Sequence, residues 1–189
     1  MDLLAIFDRD ESANTLKSRI EIPSREFIHD HDPWYLAPAV ISIDSTTIRF
    51  KHLELTSHDR LIGLDGAISK NPEDTLLFRA KNIQMNGIRI LNNKLSLSGL
   101  VDGNVKLSDL YTNPMIISAL DFQNFTINDE PLGNGSFTSV WDPMDEAIHF
   151  ETEMRYGNLR PISAEGKLST TNREIDFEIE TEKLRLKMF

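Results

Sequence analysis

Apolar and polar residues alternate along most of the chain from about residue 39 to its end. In the stretch 95–107 every odd position is apolar or glycine, and the even positions are Ser96, Ser98, Leu100, Asp102, Asn104 and Lys106. Because successive side chains of a β-strand point to opposite faces, this period of two predicts strands with one apolar and one polar face. The alternation recurs at Ile41/Ile43, Ile48/Phe50, Leu53/Leu55, Leu120/Phe122, Phe125/Ile127, Ile148/Phe150, Ile175/Phe177/Ile179 and Leu184/Leu186/Met188.

The alternation changes phase between these groups, and turn-forming residues often mark the change. Such turns are predicted at Asn71-Pro72-Glu73-Asp74, Asn92-Asn93, Asn113-Pro114, Asn128-Asp129 and Asp142-Pro143. Sequential antiparallel strands joined by turns are the simplest interpretation, with β-bulges as the alternative at some phase changes. A short helix over Asp10–Arg19, capped by Asp10, is an alternative for that segment, but Leu16 is its only large apolar residue.

Glycine occupies the apolar row itself in a recurring template of the form apolar-x-apolar-x-Gly-x-apolar. The template places Gly66, Gly99 and Gly166 in equivalent positions, and a degraded copy lies around Gly133. The spacing predicts repeats of about 33 residues, within the range typical of repetitive architectures. A glycine in an apolar row is expected to leave a gap on that face, which favours strong bending or a bound guest over a tightly packed sandwich.

These patterns predict an all-β fold: an elongated, curved antiparallel β-sheet, trough-like, with one apolar concave face. We expect strand content above roughly 45 %, well beyond the usual 20–25 %. Residues 1–32 are predicted to be a lead-in segment, partly strand or irregular, and residues 33–189 a repetitive β-sheet groove domain. The predicted inward apolar row is Ile62, Leu64, Ile68, Leu95, Leu97, Val101, Val105, Leu107, Phe122, Ile148, Phe150, Ile162, Leu168, Phe177 and Ile179, with Gly66, Gly99 and Gly166 as groove glycines.

A dry groove with polar outer walls suits acyl chains. Each buried methylene is worth roughly 0.8 kcal/mol, so a chain of about 16 carbons would offset about 12 kcal/mol of exposed apolar surface.

Composition narrows the remaining function classes. The formal net charge of −10 disfavours nucleic acid as a partner, and the absence of cysteine removes disulfides, thiol nucleophiles and thiolate metal sites. There is no Gly-x-Ser-x-Gly elbow and no phosphate-binding loop, and acidic pairs such as Glu151/Glu153 are explained by the polar face of a strand. We therefore expect no enzyme and no cofactor. The stretch His29-Asp30-His31-Asp32 offers metal-ligand chemistry, but a polar turn is the simpler interpretation and no metal site is predicted.

The segment Leu97–Phe122, with its Gly99-x-x-x-Gly103 start and its Asn113-Pro114 turn, resembles the recurrent phrase of TamB/AsmA-like proteins. The following stretch Phe125–Phe137 is similar to its continuation in the Bacteroidetes branch, and the resemblance covers about residues 33–170. It implies a curved β-sheet with a hydrophobic lumen and a periplasmic location in a Gram-negative envelope. It also implies an inner-membrane anchor near the N-terminus of the full protein, outside this chain. Separately, the start Met-Asp-Leu-Leu-Ala-Ile-Phe lacks the basic region of a signal peptide and is not expected to be one.

The function that the resemblance implies is phospholipid transport between the two membranes or outer-membrane protein assembly. The implied partners are phospholipid acyl chains and an outer-membrane β-barrel of the assembly machinery, and the sheet edges of this chain are expected to favour self-association. The alternative is a β-sandwich that binds carbohydrate through Trp34, Trp141, Tyr35 or Tyr156, or an adhesin or scaffold module.

Overall fold

The computed structural model describes residues 4–10, 15–85, 88–90, 95–171 and 174–182. Strands make up most of the described residues, far above the predicted threshold, and none of the described residues is helical. Every strand pair with a recorded register is antiparallel. The predicted all-β, antiparallel class is therefore confirmed.

Fifteen strands occur among the described residues. In chain order they are β1 (Leu4–Asp10), β2 (Thr15–Ile22), β3 (Arg25–His29), β4 (Asp32–Leu36), β5 (Ala39–Ile43), β6 (Thr47–Ser57), β7 (Arg60–Ser69), β8 (Thr75–Gln84), β9 (Ile88–Ile90), β10 (Leu95–Ser108), β11 (Met115–Ile127), β12 (Glu130–Asp142), β13 (Ala147–Tyr156), β14 (Leu159–Ser169) and β15 (Ile175–Glu180).

The N-terminal segment is more regular than the sequence suggested. The helix considered for Asp10–Arg19 is wrong, because Asp10 ends β1 and residues 15–19 lie in β2, where they pair with β1. One large apolar side chain is too little to stabilise a free helix, whereas each strand gains a full ladder of backbone hydrogen bonds from its neighbour.

The chain divides into two compact units. The first contains Met1–Ala80 and Lys106–Met115, and the second contains Lys81–Val105 and Ile116–Phe189. Strands β8 and β10 contribute residues to both units, and β11 does so through Met115. The predicted boundary after residue 32 stays a prediction; Asp32 is the first residue of β4, which pairs with β3 as a hairpin.

Within the first unit the strand order is β1-β2-β5-β6-β7-β8, and the β3–β4 hairpin joins it where β4 pairs with β6. Within the second unit the order is β10-β11-β12-β13-β14-β15, and β9 pairs with β10. Most neighbours in this order follow each other in the chain, so tight turns make most of the connections.

Four of the five predicted turns separate strands as expected. They lie between β7 and β8, between β10 and β11, between β11 and β12, and at the end of β12. The turn predicted at Asn92-Asn93 lies outside the described residues. At Asn128-Asp129 both residues have positive φ, 50° and 66°, which is the backbone of a two-residue hairpin turn that matches the strand twist.

Candidate functional site

Strand register gives the second unit one apolar face across β11–β15. One row of directly paired residues runs across four strands and consists of Phe122, Gly135, Met154 and Ile162. Directly paired residues of an antiparallel sheet project to the same side, so such a row shares one face. By the same pairings the apolar face of the second unit comprises Leu120, Phe122, Phe137, Trp141, Ile148, Phe150, Met154, Ile162, Ala164, Leu168, Ile175, Phe177 and Ile179.

The opposite face of the same strands is polar and mainly acidic. Glu151, Glu165 and Glu178 lie in one directly paired row, and Lys167 pairs with His149 on one side and Asp176 on the other. A depression of about 740 Å³ lies over β12–β15 and is lined mostly by residues of this polar face. Phe150, Gly166 and Phe177 of the apolar face complete its lining.

One carboxylate of this polar face is clearly perturbed. Arg155 donates a hydrogen bond to Glu153 Oε1, and Arg160 Nε lies 3.9 Å from the same oxygen. The hydrogen bond from Arg155, with the positive charges of both guanidinium groups, lowers the pKa of Glu153 below its ordinary value. These contacts therefore favour the ionised form of Glu153 over its protonated form.

The apolar face is anchored by a small packed cluster. Met85, Phe125, Leu132 and Met154 are buried against one another, and Leu132 is only 1 % exposed. Among the predicted row residues, Leu97, Val101, Phe122 and Ile162 pack against this cluster. The Phe122 and Phe125 ring centroids are 5.1 Å apart in a tilted pair, which adds a favourable aromatic contact.

The same face is uncovered at β15. Ile175, Phe177 and Ile179 are 58 %, 52 % and 53 % exposed, although they continue the row of Leu168, Gly166 and Ala164. Next to them, Phe137 and Phe150 stack with ring centroids 6.4 Å apart, and Phe150 Cζ lies over Gly166. The result is a continuous aliphatic and aromatic surface that is packed near β11 and open at β15.

In the first unit, the predicted residues also share a face. Ile62, Leu64 and Ile68 of β7 lie opposite Leu55, Leu53 and Ile48 of β6, and Gly66 lies opposite Phe50. The row continues to β5 and β2, because Phe50 pairs with Ile41 and Ile41 with Ile20. These side chains are half-buried. Of the remaining predicted residues, Val105 and Leu107 are half-buried, and the side chain of Leu95 lies outside the described set.

The predicted gap beside each groove glycine is wrong. A Cβ on Gly66 would stand 2.0 Å from the Thr75 carbonyl oxygen, and one on Gly99 would stand 2.8 Å from the Gln123 carbonyl oxygen. At Gly166 the Asp176 carbonyl oxygen, at 2.5 Å, and the Phe150 ring fill the space. These glycines permit close approach of the neighbouring strand instead of leaving room for a guest.

A backbone arrangement that the alternation pattern does not predict recurs at three residues. His52, Asn82 and Asn124 each adopt positive φ, between 49° and 55°. Each donates its backbone N–H, at 2.9 Å, to an Asp or Asn side chain on another strand. The three acceptors are Asp65, Asp102 and Asn134. We call this arrangement the Asx clamp.

The acceptor of every Asx clamp directly precedes a glycine: Gly66, Gly103 or Gly135. The spacing from Gly66 to Gly103 is 37 residues, and from Gly103 to Gly135 it is 32. Gly103, not Gly99, is therefore the structural counterpart of Gly66. The repeated Asp-Gly or Asn-Gly dipeptide was the signal available in the sequence.

The two groups of candidate metal-ligating residues lie in turns between strands. Asp30-His31 form the two-residue turn between β3 and β4, with φ of 51° and 69°, as the simpler interpretation expected. Asp142, Asp145 and His149 place potential ligand atoms within 4.8 Å of one another. Asp142 accepts the Met144 N–H and Asp145 lies 2.7 Å from His149 Nε2, so these groups stabilise the turn after β12.

Neither tryptophan is an open platform. Trp34 and Trp141 are half-buried, and the Arg60 guanidinium lies 5.0 Å from the Trp34 ring centroid while it binds Asp32. That cation–π contact occupies one face of the Trp34 ring.

Within the described residues, no helix has the length and apolar character needed to cross a bilayer. Comparison with protein-family models, curated proteins and solved structures gives no match. The TamB/AsmA-like resemblance therefore stays a prediction drawn from the motifs.

Proposed function

We propose that the apolar face of the second unit binds lipid acyl chains, as part of a non-enzymatic, TamB-like periplasmic segment that carries phospholipid between membranes. The observation that carries the proposal is the open end of that face, where Ile175, Phe177 and Ile179 are more than half exposed beside Phe150. Single exposed apolar residues are ordinary, but three in one row continuous with a larger apolar surface are typical of a binding surface.

The chemistry of the two faces fits an acyl chain better than a polar ligand. An acyl chain offers no hydrogen-bonding groups, so the apolar rows satisfy it without buried polar partners. Burial of each methylene contributes roughly 0.8 kcal/mol, and the ordering of chain and protein offsets part of that gain. The acidic opposite face would repel anionic headgroups, which favours entry of the lipid tail from the apolar side.

The test is site-specific photo-crosslinking with a matched pair on one strand. A photo-reactive residue at Phe177 is expected to recover phospholipid from a bacterial envelope, whereas one at Glu178, its exposed neighbour on the opposite face, is not. Phe150 and Glu151 form a second pair on β13. Equal lipid yield at Phe177 and Glu178, or no lipid at either while the protein binds a glycan array, would overturn the proposal.

A further inference from the structure

The β3–β4 hairpin is joined to the rest of the first unit by a short ladder. Among the described residues, β4 pairs with β6 at two positions, Tyr35 and Leu36, and the Ala37 N–H donates to the Glu54 carbonyl at 2.9 Å. By comparison, β6 and β7 pair at nine positions. All five residues of β3 are exposed. A short ladder and little buried surface are the features of a segment that opens locally at low cost in free energy.

Two prolines separate this hairpin from the neighbouring ladder. The β2–β5 ladder ends at the pair Ile22 and Ala39, and the β3–β4 ladder begins beyond it. Pro23 follows β2 directly, and Pro38 directly precedes β5, so each connection to the hairpin contains one proline. Proline has no N–H to donate to a ladder. The backbone hydrogen bonds of the hairpin are therefore not continuous with those between β2 and β5.

One side chain of β7 contacts the hairpin at two points. Arg60 Nη2 donates to Asp32 Oδ2 at 2.6 Å, and the Arg60 guanidinium lies 5.0 Å from the Trp34 ring centroid. The same Nη2 donates to Ser57 Oγ at 2.9 Å, which fixes the guanidinium against the end of β6. The Arg60 side chain is 24 % exposed, so solvent screens this ion pair less than one on the open surface. A charge-assisted hydrogen bond and a cation–π contact thus join the hairpin to the β6–β7 turn.

The Trp34 indole favours the open hairpin. Its Nε1 atom is buried, and none of the described residues accepts a hydrogen bond from it. A buried donor without an acceptor is destabilising, and this penalty ends when water reaches the N–H. We propose that the β3–β4 hairpin opens from the first unit as one cooperative segment, and that Arg60 holds it closed.

Opening changes the extent of the apolar face of the first unit. Leu36 lies opposite Leu55, and Leu55 lies opposite Ile62, so the hairpin continues that face. Trp34 and Phe27 form a direct pair on the same side. An isolated two-stranded hairpin is only marginally stable in water, so the open segment unfolds and removes these side chains from the face. The inference concerns the first unit and does not rest on lipid binding to the second.

Hydrogen exchange of the full chain, measured amide by amide with NMR, tests the opening. The amides bonded between β3 and β4 and the Ala37 N–H are expected to exchange through one shared opening, at least about tenfold faster than those of the β6–β7 ladder. Arg60→Gln is expected to accelerate all of these hairpin amides by about tenfold, because it removes the charged hydrogen bond. Exchange in the distant part of the β6–β7 ladder, residues 47–50 and 66–69, should change by less than about twofold.

Two further variants separate a local effect of Arg60 from a general loss of stability. Arg49→Gln is the matched control, since Arg49 lies 3.7 Å from Asp74 in the same unit and pairs with β5 instead of β4; it should leave hairpin exchange within about twofold of the parent. Asp32→Asn should accelerate hairpin exchange several-fold in the parent and add little to Arg60→Gln. Hairpin amides that exchange no faster than the β6–β7 ladder overturn the proposal. An acceleration by Arg60→Gln that the whole first unit shares, or full additivity of the two variants, also overturns it.

Discussion

Replacing Gly66 with alanine tests whether the glycines of the apolar rows leave a gap or permit close approach. Gly66 has φ of +107°, and a Cβ there would stand 2.0 Å from the Thr75 carbonyl oxygen and 3.1 Å from its carbon. An L-residue in left-handed backbone costs roughly 1–2 kcal/mol, and forcing β8 aside costs about 1–3 kcal/mol more. The Gly66→Ala variant should therefore lose about 2–5 kcal/mol of the free energy of unfolding.

Gly157 provides the matched control because it has the strain without the clash. Its φ is +60°, and nothing lies within 4 Å of the position that its Cβ would take. Gly157→Ala should cost about 1–2 kcal/mol, from the backbone conformation alone. Urea unfolding followed by circular dichroism measures both, and each kcal/mol corresponds to about 2–4 °C in the melting temperature of a chain of this size.

The comparison has a clear refuting result. If Gly66→Ala is no less stable than Gly157→Ala, the neighbouring strand does not approach as closely as the structure has it. If Gly66→Ala loses only the roughly 1–2 kcal/mol expected from its backbone conformation, the glycine leaves a gap in the apolar row, as a trough with room for a guest requires.

Two further predictions concern carboxylates that accept backbone N–H groups. Asp44 accepts from the Thr46 and Thr47 N–H at 2.8 and 2.9 Å, and these bonds, with that from the Thr46 hydroxyl, lower its pKa. Because the folded-state pKa is depressed, the stabilisation is complete above the unfolded value near 3.8 and is lost as pH falls through the folded value. Asp44→Ala should therefore cost less than about 1 kcal/mol at neutral pH, and urea titrations should show this cost shrinking as the pH is lowered through the acid range. Asp102→Ala removes the side-chain acceptor of the half-buried Asn82 N–H and should lower the free energy of unfolding by about 1–3 kcal/mol. Asp102→Asn keeps an acceptor, as Asn134 does in its own clamp, and should be nearly as stable as the parent. Equal loss of stability in both variants would contradict the clamp.

The strands and their apolar phase could be predicted because the period of two is a local property. Ile62, Leu64 and Ile68 stand opposite apolar partners on β6 because each strand must turn the same side chains to the same side. The partners themselves were not available from the sequence, since pairing depends on which turns close. Phe137, Leu132 and Met154 were missed for this reason, although Phe137 lay within the degraded repeat around Gly133.

The division into two units could not be derived from alternation either. Alternation states that a strand has two different faces, but it carries no information on how strongly a sheet bends or toward which face. The depression over β12–β15 is lined mostly by polar-face residues such as Glu151 and Glu165. Phe150 and Phe177 also line it, and acyl chains are expected to bind on the apolar side, at the exposed row of β15.

The Asx clamp explains how the sheet keeps one apolar face where the apolar positions switch between even and odd numbers. The apolar positions switch from even to odd numbers between Phe50 and Leu53, and again between Phe122 and Phe125. The strand register shifts at both places, and all four residues have apolar or glycine partners on the neighbouring strand. Ala80 and Ile83 flank Asn82 with the same spacing. A β-bulge places two residues where a regular strand has one, which exchanges the faces to which odd and even side chains point. Without the bulge, every side chain after the switch would point to the wrong face of the sheet. The clamp satisfies the backbone N–H that the bulge frees, and three polar side chains that look like ordinary surface residues thereby keep one side of the sheet apolar.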